Sequence, residues 1–154
     1  MTDELTYQPT GKYFEDFEPG QKYITASRTI TEADIVNFAG ITGDFNQIHT
    51  DAVYAAQDTF QQRVAHGLLI QSIATGLAVR SGIIEGTVLA FRELTAKFSL
   101  PIFIQDTIHV VIEITEKKYF KRLGGGNVWM KYAVINQEGK AVQRGEWIML
   151  IKNK

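Results

Sequence analysis

The sequence predicts an α+β domain in which one antiparallel sheet folds around a single buried helix. Three features carry that prediction. Residues 68–82, LLIQSIATGLAVRSG, are apolar on most helical faces, so a helix there must be surrounded by other elements. From Thr87 onward the apolar period shortens to two, the period of strands. Ahead of the helix the pattern leaves room only for one early strand and short helical segments. The 154 residues show no internal repeat, low-complexity run or dividing linker. They read as one domain, residues 13–154, behind a flexible N-terminal arm, residues 1–12.

Taken in order, Phe17-Glu18-Pro19-Gly20 forms a turn, and residues 21–30 form a strand rich in β-branched and aromatic side chains. Thr31 caps the next helix, with Asp34 as the reciprocal acid of a capping box. Ile35, Phe38 and Ala39 give it an apolar face, and Gly40 and Gly43 end it. Residues 41–50, ITGDFNQIHT, are polar and aperiodic and read as a loop. Thr50 or Asp51 caps a short helix that runs through Ala56. In the second half Ile108, Val110, Ile112 and Ile114 alternate with more polar neighbours. Val128, Met130, Tyr132 and Val134 do the same, and a third strand follows the hairpin turn Asn136-Gln137-Glu138-Gly139-Lys140. Leu123-Gly124-Gly125-Gly126-Asn127 reads as a flexible connection within this antiparallel meander.

Composition removes several classes of function. Lys plus Arg, 16, nearly balances Asp plus Glu, 17, which gives no support to a nucleic-acid binder or a polybasic membrane protein. No apolar run approaches the roughly 20 residues of a membrane span. The polar, acidic start MTDELTYQPTGK is unlike a signal peptide, so a soluble, most simply cytoplasmic, protein is expected. With no Cys there is no disulfide frame, thiolate zinc site, iron–sulfur cluster or cysteine nucleophile. Charge is uneven along the chain: residues 1–91 carry a net −6 and residues 92–154 a net +5. Either the two halves meet and neutralise each other, or the basic region receives a phosphorylated ligand. Lys117, Lys118, Lys121 and Arg122 fit a solvated hairpin edge that discourages strand pairing.

Only three His are present. His109 sits mid-strand and reads as a surface or packing residue. His49 and His66 fall in the glycine-containing segments flanking the short helix, where functional groups are commonly displayed. Asp44 precedes His49 by five residues in TGDFNQIH. A carboxylate and an imidazole in one loop can position a water and move protons; the alternative is that Asp44 caps the turn while His49 packs. Asn46 between them is either an orienting group or a left-handed turn residue. Ala65-His66-Gly67 stands directly before the buried helix, whose first N–H groups lack partners. Gly67 would let a ligand approach that backbone, or serves tight packing. Asp44, His49, Asp51 and His66 could instead ligate a metal, but HxH and HExxH patterns are absent, and no metal is expected. GxSxG is absent as well.

Together these segments resemble a family. FAGITGDFNQIHTDAVYAA followed by RVAHGLLIQSIATGL is similar to the hydratase motif of MaoC-like, (R)-specific enoyl-CoA hydratases, and the likeness extends from about residue 12 to 151. The resemblance implies a hot-dog fold, a long helix wrapped by an antiparallel sheet. It implies Asp44 and His49 as the catalytic pair and Gly67 as the residue whose N–H faces the thioester oxygen. His66 and Asn46 are candidate substrate-binding groups beside them. Thr75 falls where a hydratase has a Ser lining the site, and Gln47 replaces the usual Pro. The implied activity is addition of water to a trans-2-enoyl thioester of coenzyme A or acyl carrier protein, with no metal or redox cofactor. A hot-dog thioesterase and a non-catalytic acyl-binding subunit of a larger dehydratase are the alternatives. A homodimer or larger homo-oligomer is also implied, and the apolar residues of 128–135 and 147–151 fit strands needing cover.

Overall fold

The computed structural model describes residues 6–154. Its centre is α4 (Gly67–Arg80), which buries Leu69, Ile70, Ile73, Ala74, Leu77 and Ala78 and shows water a stripe through Leu68, Ser72 and Gly76. Around it lies one sheet in the order β1 (Lys22–Ile24), β4 (Thr107–Phe120), β5 (Gly125–Ile135), β6 (Ala141–Lys152), β3 (Val88–Phe98), and β2 (Arg28–Thr29) also pairs with β4. Every pairing is antiparallel. Strand alternation sends Ile108, Val110, Ile112 and Ile114 of β4 into one core with Val128, Met130, Tyr132 and Val134 of β5 and Trp147, Met149 and Ile151 of β6. The register sets Val110 opposite Val134 and Met130 opposite Trp147, so large side chains face one another across the ladder. This is the hot-dog architecture, α+β, that the resemblance implies.

The local readings hold in outline and fail in instructive places. Thr31 accepts the Asp34 N–H and the Asp34 carboxylate accepts the Thr31 N–H at 2.8 Å, closing the capping box of α1 (Glu32–Thr42). Gly40 lies inside α1; only Gly43, with φ +77°, ends it in the left-handed conformation that glycine tolerates. Residues 41–50 are therefore not one loop: α1 runs through Thr42, and a single turn, α2 (Gln47–Thr50), follows. Asp51 caps α3 (Ala52–Gln57), accepting the N–H groups of Val53 and Tyr54 at 2.9 Å each. The strand expected over 21–30 is divided into β1 and β2, because the Thr25 hydroxyl accepts the Val110 N–H at 2.9 Å where a ladder carbonyl would otherwise do so.

Gly125 and Gly126 belong to β5 and are no flexible link. A Cβ at 125 would sit 2.1 Å from the Ile151 carbonyl oxygen, and one at 126 would sit 2.4 Å from the Phe14 ring. Of the expected N-terminal arm, residues 1–5 lie outside the described residues. Residues 10–12 are anchored: the Gly11 N–H donates to the Glu85 carbonyl at 2.9 Å, and the Thr10 N–H to the Glu85 carboxylate at 2.7 Å. The two charge halves meet, with Lys154 2.6 Å from Asp16 and Lys117 2.7 Å from Glu18. Neutralisation between the ends accounts for the uneven charge.

The expectation about uncovered strands is corrected. Residues 128–135 and 147–151 lie in interior strands. The sheet instead ends on β3, an edge of 11 residues that exposes Leu89, Phe91, Leu94 and Phe98. Its backbone edge and its side chains both face solvent in one chain.

Candidate active site

The segment from Gly43 to His49 is held at the N-terminal end of α4 by main-chain bonds. The His66 ring, directly before α4, donates Nε2–H to the Asp44 carbonyl at 2.9 Å. The His49 ring donates Nδ1–H to the Val64 carbonyl at 2.6 Å. A carbonyl only accepts, so both tautomers are fixed: His49 keeps a lone pair on Nε2, and His66 keeps one on Nδ1. The His66 Nδ1 is buried and has no partner among the described residues. The two imidazoles stack with centroids 3.8 Å apart, and Phe38 packs on His66 at 5.0 Å.

Burial pushes the His49 pKa below its ordinary value. The adjacent His66 ring pushes the same way; the Val64 hydrogen bond and the Asp44 carboxylate oppose without reversing the shift. His49 is thus a neutral imidazole at neutral pH. Asp44 is exposed, and its Oδ1 accepts the Asn46 N–H at 3.3 Å in an Asx turn. The Asp44 N–H donates to the Thr42 hydroxyl at 3.2 Å. The turn-capping role and the proton-handling role are therefore compatible, since Oδ2 has no hydrogen bond among the described residues. Asp44 and His49 do not bond each other directly, yet one side-chain polar atom from each of Asp44, His49 and His66 lies within 4.8 Å of the other two. That separation suits a single bridging water.

Such a trio also invites comparison with a metal site. Metal ligation needs lone pairs that converge on one point about 2.0–2.1 Å from each nitrogen. One possible ligand atom from each of Asp44, His49 and His66 lies within 4.8 Å of the others.

Phe38, Thr42, Asp44, His49, His66, Gly67 and Leu68 enclose a hollow of about 180 Å³. A larger one, about 400 Å³, adjoins it, and Gly67 and Leu68 line both. The larger hollow is walled by Val64, Phe98, Leu100 and Ile102, with Gln143 as its buried polar side chain. Gly67 opens α4, so its N–H has no intrahelical partner and sits at the positive end of the helix dipole. A Cβ at 67 would lie 2.7 Å from the Phe98 ring, so both close packing and open backbone apply to this glycine.

Asp44, His49, His66 and Gly67 thus come together. Asn46 does not join them through its side chain, which is exposed; its backbone starts α2, with φ −54° and so not left-handed. Thr75 lies about 12 Å along the helix from Gly67, and its hydroxyl donates to the Gln71 carbonyl at 3.1 Å. It lines neither hollow. The Val64 carbonyl was missed, because every residue carries one and sequence gives no signal for it. Phe38 was read only as part of an apolar face.

Fold and site together define a hot-dog protein with a carboxylate–imidazole pair at the N-terminus of its central helix. The chain belongs to the MaoC-like family: the MaoC like domain matches residues 15–134. It is similar to Protein MaoC of Klebsiella aerogenes, 39% identical over 117 residues, which cover 76% of this chain but only 35% of that protein. An (R)-specific enoyl-CoA hydratase of Rhodospirillum rubrum is 34% identical over 111 residues, covering 70% of this chain and 75% of the relative. Among solved structures, the R-hydratase PhaJ1 of Pseudomonas aeruginosa superposes with a TM-score of 0.79 at 31% identity, covering 92% of this chain and 86% of that one.

Proposed function

We propose that this protein is an (R)-specific enoyl-CoA hydratase, interconverting trans-2-enoyl and (R)-3-hydroxyacyl thioesters of coenzyme A or acyl carrier protein. The observation that carries the reading is the meeting of three features at Gly67 and Leu68: a small hollow lined by Asp44 and His49, a helix N–H without an intrahelical partner, and a larger, mainly apolar hollow. In this reading the thioester oxygen accepts from the Gly67 N–H and the acyl chain enters the larger hollow. Asp44 takes a proton from the water held with His49, oxygen adds to C3, and the Asp44 carboxyl returns that proton to C2 on the same face. The enolate-like charge rests on the thioester oxygen, so the substrate supplies its own electron sink and no cofactor takes part. Incubation with short and medium trans-2-enoyl-CoAs, followed by loss of enoyl ultraviolet absorbance, tests this. Release of free thiol from saturated acyl-CoA would instead indicate a thioesterase, and inertness toward both an acyl-binding subunit.

The neutral His49 gives a pH dependence. Protonation removes the Nε2 lone pair, and the pKa lies below the ordinary 6.5. The acid limb of kcat/KM is therefore expected below that value; a limb above it would count against His49. Stability follows the same sign: the unfolded chain takes up this proton at about 6.5, so the group's contribution is complete above that pH and declines as pH falls toward the folded value.

A homodimer is the proposed assembly, formed by pairing of the β3 edge and its exposed Leu89, Phe91, Leu94 and Phe98. Light scattering at micromolar concentration should return twice the 17.3 kDa chain mass. A particle of one chain mass would overturn it.

A further inference from the structure

The Asp44 carboxylate is carried by a stretch that has little of its own to hold it. Residues 41–47 are all exposed. The hydrogen bonds within residues 43–47 are mostly local. The Gly43 N–H reaches the Ala39 carbonyl, the Asp44 N–H the Thr42 hydroxyl, and the Thr50 hydroxyl the Phe45 and Asn46 carbonyls. Among the described residues, one hydrogen bond from this stretch crosses to a distant part of the chain. It is the bond from His66 Nε2–H to the Asp44 carbonyl.

His66 is itself firmly placed. It is 2% exposed and directly precedes α4, whose Ile70 N–H donates to the His66 carbonyl at 3.2 Å. Just before it, the Ala65 N–H donates to the Ile102 carbonyl at 2.7 Å. The helix is tied to the sheet in turn: Gln71 Oε1 accepts from the Tyr132 hydroxyl at 2.6 Å and from Gln143 Nε2 at 2.5 Å. From this fixed position the His66 ring touches both groups of the carboxylate–imidazole pair. It holds the main chain of Asp44, and it stacks on the His49 ring with 29° between the planes. Its other nitrogen, Nδ1, is enclosed by protein and has no partner among the described residues. His66 therefore acts on its neighbours and not on a substrate atom.

We propose that His66 is the positioning residue of this site: its Nε2–H sets where the Asp44 carboxylate stands, and its ring face sets the plane of the His49 imidazole. With the tether cut, an exposed turn lets the carboxylate wander, and a displacement of about 1 Å from the productive geometry costs up to about 10² in rate. The loss falls on kcat, because the contacts offered to substrate by Gly67 and the larger hollow are untouched. The inference rests on the hydratase reading above and adds a residue to it.

Hydration of trans-but-2-enoyl-CoA by the wild type, His66→Phe, His66→Gln and His66→Asn, expressed per folded molecule beside thermal unfolding, tests it. Phe keeps an aromatic ring but has no N–H. Gln can place an amide nitrogen where Nε2 stands; Asn is one carbon shorter and cannot. His66→Phe is expected to lower kcat by roughly 10–10² with KM little changed. His66→Gln should recover most of that loss, and His66→Asn should not. If His66 serves packing or stability alone, His66→Phe keeps wild-type kcat per folded molecule, and that result overturns the proposal. So does equal turnover of the Gln and Asn variants, a comparison that stands even if His66→Phe fails to fold. Imidazole nitrogen NMR of the wild type needs no variant: the His66 proton is expected on Nε2 with Nδ1 bare, and the reverse tautomer overturns the tether. A wild type that hydrates while the variants show none of this order defeats the positioning role alone. A wild type inert toward trans-2-enoyl-CoAs defeats the hydratase reading and the role of His66 with it.

Discussion

Asp44→Asn and His49→Ala are each expected to lower hydration of a trans-2-enoyl-CoA by a factor of about 10² or more, the scale of lost general acid–base catalysis. The two variants remove different things. Asn at 44 retains an oxygen to accept the Asn46 N–H, so the Asx turn survives while the proton acceptor is lost. Ala at 49 removes the Nε2 lone pair and also frees the Val64 carbonyl, so this variant should lose some stability as well. Because both groups act on one water, the double variant should be little slower than the worse single one. Circular dichroism and thermal unfolding must accompany the rates. If either variant, correctly folded, kept near-full hydration, the assigned pair would be wrong.

Gly67→Val should lower kcat/KM by roughly 10²–10³, as the loss of one oxyanion donor does, while the melting temperature falls by less than about 4 °C, equivalent to about 1 kcal/mol for a chain of this size. The first branch of a new side chain would meet the Phe98 ring at 2.7 Å. Phe98 is not part of the buried core around α4, so its displacement leaves that packing in place. The added bulk remains where the two hollows meet and would hold the acyl carbonyl away from the Gly67 N–H. If the glycine served packing alone, the pattern would reverse: a large drop in melting temperature with turnover per folded molecule preserved.

The sequence was legible where periodicity and capping speak. The alternation of β4 and β5, the buried α4 and the Thr31–Asp34 box all follow from side-chain type and spacing. The paired segments TGDFNQIH and AHGLL point to Asp44, His49 and Gly67, which the fold brings to one hollow at the start of α4. Glycines were harder to read, because one residue type serves opposite ends. Gly43 ends a helix, Gly40 sits inside it, and Gly125 and Gly126 are small so that neighbouring groups fit. Helix phase decides which way a hydroxyl faces, and that of Thr75 turns back to the carbonyl four residues earlier. Gln71 and Gln143 are 72 positions apart, and no local pattern joins them.

Both imidazoles at the site hold onto carbonyl oxygens of the main chain, His66 on Asp44 and His49 on Val64. A carbonyl is present whatever side chain the residue bears. The identities of Phe45, Asn46, Gln47 and Val64 can therefore drift under mutation without dissolving these two anchors, provided the backbone keeps its path. The two histidines have no comparable freedom, since no other side chain offers an N–H on one edge and a basic nitrogen on the other. Variation in a lineage of such proteins should accordingly collect at Val64 and along residues 45–47, leaving the two histidines and Asp44 fixed.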